Sequence, residues 1–229
     1  MMDPIFIGVV SVTAAAALFG GLMYTDRYFD RVCDTAAEKK LGLRAKLLIT
    51  AAFLGGCVFL TAVSGITAQG NFYTIGTVTA LCGMTVSAVT DIKTRLIPNT
   101  VCAAMIAAWL VEYLTECIFF GGDLLTELIA SLIGAAFGGG LLFIGRLISK
   151  NGMGMGDIKL MFSAGLLMKF DGVFGVLFWG FVLSLIYSVI LLALKKAKRD
   201  TLICMAPFFL AGAVISKIFL FISYLNYPE

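Results

Sequence analysis

Hydrophobic residues make up 60% of this 229-residue chain and charged residues only 14%, with a mean hydropathy of +1.00, so it cannot be a soluble domain that hides its apolar groups in one core. The net charge of +3 is modest, and what matters is where the 17 basic residues fall. Histidine is absent, which excludes an imidazole base from any hydrolytic site and leaves paired carboxylates sharing one proton as the alternative.

Stretches of about 20 apolar residues, enough to cross ~30 Å of hydrocarbon as helices, cover nearly the whole chain. The predicted spans are Pro4 to Tyr24, Leu47 to Ile66, Phe72 to Thr90, Pro98 to Phe119, Leu124 to Ile148, Ile158 to Phe170, Val173 to Leu194 and Leu202 to Leu225. The expected fold class is all-α: a polytopic membrane protein with about eight transmembrane helices, forming one domain over residues 1–229. The sixth span is short. Its separation from the seventh rests on Lys169, Asp171 and Gly172, so a fused or re-entrant pair also fits the sequence.

The first span is preceded by Met1, Met2 and Asp3, and its first positive charge is Arg27, which reverses the charge order of a cleavable signal. It is expected to stay as an anchor. Its following connection, residues 25–46, collects Arg27, Arg31, Lys39, Lys40, Arg44 and Lys46. Later connections and helix ends on the same side hold Lys93, Arg95, Arg146, Lys150, Lys159, Lys195, Lys196, Lys198 and Arg199, and only Lys169 and Lys217 of the 17 basic residues fall elsewhere. The positive-inside rule therefore predicts a cytoplasmic position for this side and an outside amino terminus.

Cys33, Cys57, Cys82, Cys102, Cys117 and Cys204 form no C-x-x-C spacing, and with no histidine partner neither zinc binding nor a disulfide framework is supported. They read as small apolar residues. No metal and no cofactor is expected, and nothing points to nucleic acid.

Two aspartates stand at span edges: Asp91 in the first-aspartate loop 91–99, sequence DIKTRLIPN, and Asp157 at the end of the glycine-rich loop 149–157. Each alone would read as a helix or loop cap. Together they share a side of the membrane and a following Ile-Lys, and Asp157 ends the run Gly152-Met153-Gly154-Met155-Gly156, whose glycines suit close approach of backbone at membrane depth.

These stretches resemble a known family. GMGMGDIKL, Gly152 to Leu160, looks like the GxGD signature of type IV prepilin peptidases, and VTDIKTRLIPN, Val89 to Asn99, looks like their first-aspartate motif. MAPFFLAGA, Met205 to Ala213, is similar to the family's Pro-Phe segment, with Ala206 where a glycine is usual. Presenilin-type enzymes share the GxGD element but have a tyrosine before the first aspartate, where this chain has Thr90. The resemblance implies an aspartic endopeptidase that removes basic leaders from prepilins or pseudopilins after a glycine at the cytoplasmic face, leaving the adjoining apolar segment in the lipid of a prokaryotic inner membrane. It implies Asp91 and Asp157 as the catalytic pair, with Gly154, Gly156, Lys159, Pro98 and Asn99 binding substrate or shaping the site. Bifunctional members carry two C-x-x-C pairs in a cytoplasmic domain. The connection 25–46 holds only Cys33, so N-methyltransferase activity is not expected.

In this chemistry one ionised aspartate activates water while its protonated partner serves the oxyanion and the leaving amine. Asp91 falls at the carboxyl end of its predicted helix and Asp157 at the amino end of the next, so the dipole of each aspartate's own helix would make Asp157 the base. Asp26, Asp30, Asp34 and Glu38 recur every four residues and would line one helical face toward a basic leader, or form a solvated face offset by Arg27 and Arg31. Two other classes share some of these features. A transporter would hold its rare ionisable groups nearer the midplane, and a non-catalytic scaffold would tolerate loss of either aspartate.

Overall fold

The computed structural model describes residues 4–32, 41–66, 71–119, 123–149, 153–195 and 203–226. Among them every regular element is an α-helix: α1 (Pro4–Val32), α2 (Leu43–Ile66), α3 (Asn71–Thr94), α4 (Asn99–Phe119), α5 (Leu124–Ile148), α6 (Met155–Ala193) and α7 (Ala206–Asn226). Six of these are long and apolar enough to cross a membrane. The protein is a multi-pass, all-α membrane protein.

The helices overrun the apolar stretches that predict them. α1 continues to Val32 rather than ending at Tyr24, α2 begins at Leu43 rather than Leu47, and α3 reaches Thr94, so much of the expected connection 25–46 is helix and residues 33–40 lie outside the described residues. A helix satisfies its own backbone in water as well as in lipid, and hydropathy reports only the part in lipid. α7 does the reverse. It begins at Ala206 rather than Leu202, with Pro207 in its first turn, where a missing N–H costs nothing.

The longest run, the 39 residues of α6, would be nearly 60 Å long if straight, about twice the hydrocarbon thickness. It is not straight. Lys169 has φ 54° and ψ −168°, a left-handed conformation that breaks the run into two limbs. The first limb runs antiparallel to α5: Met161 meets Gly138, and Gly165 meets Gly134. In the second limb Val173 returns to Gly138, while Phe170 and Phe174 pack on Phe137. α6 is thus a helical hairpin, which separates the sixth and seventh predicted spans at Lys169. The Lys169 ammonium is ion-paired with Glu127 at the start of α5.

Lipid is as apolar as leucine, so helices in a bilayer associate through close packing and not through exclusion of water. Backbone contact between Gly134 of α5 and Gly165 of α6 shows this: a Cβ on either residue would run into the other helix's backbone. α3 sits at the centre, with 67% of its apolar window buried against 33% or less in every other candidate span. Its Ala80, Leu81, Met84 and Ala88 meet Leu160, Met161 and Leu167 of α6 and Phe209 of α7 in one core. Leu48, Ile118, Leu125 and Ile148 are more than two-thirds exposed on the outside, as lipid-facing side chains are.

The first turn of α6, the last turn of α3 and the start of α7 all fall at one end of the bundle. Thr100 of α4 donates to the Tyr24 hydroxyl of α1 there (2.9 Å), and Lys46 of α2 pairs with Asp26 of α1. Lys46 is therefore no solvated loop charge, since its side chain is only 2% exposed. The pairing also takes Asp26 out of the expected acidic stripe. Asp30 remains on α1, while Asp34 and Glu38 lie outside the described residues.

Candidate active site

Asp91 occupies the last turn of α3 and is 6% exposed. The helix stops a turn later. Arg95 takes φ 55°, and its N–H closes on the Asp91 carbonyl at 2.8 Å. The chain then passes through Leu96 and Ile97 to buried Pro98, whose carbonyl receives the Val101 N–H at 3.1 Å in the first turn of α4. The expected loop 91–99 is thus a tight turn, with its aspartate held on the helix before it.

Asp157 lies in the first turn of α6, after Gly154 as N-cap. It is not itself the cap. The glycines on either side of Met155 each have a steric cause. A Cβ on Gly154 would lie 2.9 Å from Asp157 Oδ2, so a side chain there would displace the carboxylate. A Cβ on Gly156 would lie 2.9 Å from the Ile97 Cβ, so glycine lets the turn after Asp91 press against the start of α6. Gly152 lies outside the described residues. The loop carrying Met153 is held by the Arg146 guanidinium of α5, which donates to the Met153 carbonyl.

The two carboxylates come together. The charge of Asp91 acts on Asp157, and both act on Cys204. Their hydrogen bonding differs. Asp91 Oδ2 accepts the backbone N–H of Ala206 at 3.2 Å, and the Asp91 carbonyl accepts from the Cys204 thiol at 3.3 Å. Asp157 Oδ1 is buried with no hydrogen-bond partner. Burial, then the charges of Asp91 and Asp157, push the Cys204 thiol above its ordinary range against the opposing pull of Arg95, so it stays a neutral S–H donor.

Lys159 and Asn99 meet at the same end: the Lys159 ammonium donates to Asn99 Oδ1 at 3.0 Å, joining α6 to α4. Every site residue expected from the sequence therefore gathers at this end. Cys204, Ala206 and Arg146 were missed. The first two lie in or beside a segment noticed only for its likeness to a Pro-Phe motif, and the third was counted only as a positive charge. A backbone N–H leaves no mark on residue type, which is why Ala206 was not legible. Among the described residues no three Cys, Asp or Glu side chains are arranged to hold a metal ion.

A helical membrane protein whose two carboxylates converge from non-adjacent helices at one end, with a glycine clearing room for one of them, has the architecture of a membrane-embedded hydrolase. The family model described as the type IV leader peptidase family matches residues 78–189, from the middle of α3 through most of the second limb of α6. The matched stretch, just under half of the chain, contains both aspartates and ends before Cys204 and Ala206. No match was found among the curated proteins or the solved structures.

Proposed function

We propose that this protein is an aspartic endopeptidase that cuts the basic leader from prepilins or pseudopilins after a glycine, at the cytoplasmic face of a prokaryotic inner membrane. The observation that carries the reading is the convergence of Asp91 and Asp157, one with a hydrogen-bonded carboxylate and the other with a buried, partnerless oxygen. The ionised aspartate takes a proton from water as the oxygen attacks the glycine carbonyl, and the protonated one gives its proton to the forming oxyanion. On collapse, the C–N bond breaks. The first aspartate passes its proton to the leaving amine, and the gem-diol hydroxyl returns one to the second. The acid and amine products carry all the atoms of peptide and water, and the pair regains its starting state. It acts as one unit with a shared proton.

The cytoplasmic placement rests on positive charge: Lys93, Arg95, Arg146 and Lys159 share the end that holds the aspartates. Gly154, Gly156, Pro98 and Asn99 shape the site, and Lys159 is assigned to binding the substrate backbone. The membrane lipid holds the apolar part of the substrate as a helix beside the enzyme. Co-expression of a prepilin-like substrate with wild type, Asp91→Ala or Asp157→Ala tests the proposal by gel shift. Cleavage by wild type alone is expected. Cleavage by all three would mark a scaffold, and by none, including wild type, a protein of another class.

A further inference from the structure

We infer that Asp91 is the general base of the pair and Asp157 its proton donor, an assignment made by the entry segment of α7 and resting on the peptidase reading above. Two residues, Ala206 and Cys204, grip Asp91 from one direction. The Ala206 N–H donates to its carboxylate at 3.2 Å and the Cys204 thiol to its carbonyl at 3.3 Å, so side chain and main chain are held together. The N–H groups of a helix's first turn have no partner within the helix, and they carry the positive end of its dipole. In α7 the next residue is Pro207, which has no N–H, so Ala206 is the first-turn donor to Asp91, with the Met205 amide beside it.

The groups that face Asp91 are Arg95 at the end of its own helix, Cys204 and the Met205 and Ala206 amides from the segment entering α7, and Asp157 from α6. Arg95 and the Ala206 N–H favour a carboxylate ion at Asp91. Asp157 has no such support: its Oδ1 is buried without a partner, and a carboxylate ion there would leave a hydrogen bond unmade. A carboxyl group there instead has an O–H to offer to a reacting carbonyl. The dipole of each aspartate's own helix argues for the opposite assignment, but the amino terminus that touches a carboxylate oxygen of Asp91 belongs to α7. Ala206 touches no substrate and is a positioning residue.

The test uses the full-length protein in lipid nanodiscs and a synthetic reporter made of a basic leader, a glycine and an apolar helix. Ala206→Pro removes the N–H at a first-turn position that suits proline, and kcat should fall tenfold or more, roughly the worth of a hydrogen bond to a charged group, with KM nearly unchanged. Ala206→Gly keeps the amide and should hold kcat within about twofold. A second readout needs no substrate: dicyclohexylcarbodiimide reacts with protonated carboxyls in apolar surroundings, and peptide mapping should find it on Asp157 in wild type and on both aspartates in Ala206→Pro. Label on Asp91 in wild type, or an unchanged kcat in Ala206→Pro, overturns the assignment. A wild type that is labelled at Asp157 yet leaves the reporter uncut sinks the peptidase reading while the proton assignment stands.

Discussion

The two ends of the helical bundle both carry ionisable groups inside an apolar protein, and they treat them differently. In the half away from the aspartates, Lys169 pairs with Glu127, Lys217 donates to the Tyr73 hydroxyl at 3.1 Å and lies over its ring, and Thr79 donates to Glu112 at 2.9 Å. Each group named there has a partner. At the aspartate end, Asp91 is held by a backbone N–H while a buried oxygen of Asp157 has none. Partnered charge in a membrane closes the fold, and the lysine at the tip of the α6 hairpin is the clearest case. The partnerless oxygen of Asp157, beside a second carboxyl group, is the one that the proposed reaction uses.

The sharpest way to break this contrast is to remove charges from both ends and measure leader cleavage. Asp91→Ala and Asp157→Ala should each lower kcat by roughly 10³-fold or more, as loss of a general acid or base does. Glu127→Gln and Lys217→Met should leave kcat within about threefold and act on thermal unfolding instead. Comparable loss of cleavage from both sets would end the distinction.

A charge with a partner should be costly to orphan. Asp26→Ala leaves the ammonium of Lys46, whose side chain is 2% exposed, without its carboxylate, and should cost about 3 kcal/mol in a denaturant titration in detergent. Adding Lys46→Met should recover most of it. Gly165→Ala tests packing where no charge is involved. Its Cβ would meet the α5 backbone at Gly134, so about 2 kcal/mol of stability should be lost as the hairpin shifts off α5.

Smaller effects sharpen the aspartate end itself. Gly156→Ala brings a Cβ to 2.9 Å from Ile97 and should move the turn after Asp91, cutting kcat about tenfold with little change in stability. Asn99→Ala removes the 3.0 Å bond from Lys159, an exposed contact, and should change kcat/KM by no more than about threefold.

Much of this molecule was legible in its residues because a bilayer imposes simple rules. Apolar stretches of spanning length gave the helices, and the span Leu124 to Ile148 coincides with α5 at both ends. The short sixth span and the charged break after it anticipated the α6 hairpin, though only the backbone at Lys169 separates a hairpin from one long rod. Helix ends beyond the lipid were missed at α1, α2 and α3, since polar residues continue a helix without any hydropathic signal.

Residue order by itself determined the class of protein and marked the two aspartates and the glycines beside them as candidates, because carboxylates at the edges of apolar segments are costly. Tertiary structure alone decided which helix serves which aspartate. A dipole argument can be applied along a sequence only to a residue's own helix, whereas the Ala206 N–H reaches Asp91 from 115 residues away. Hydrogen bonds act through space over a few ångströms, and no spacing along the chain records which backbone amide ends up within that reach.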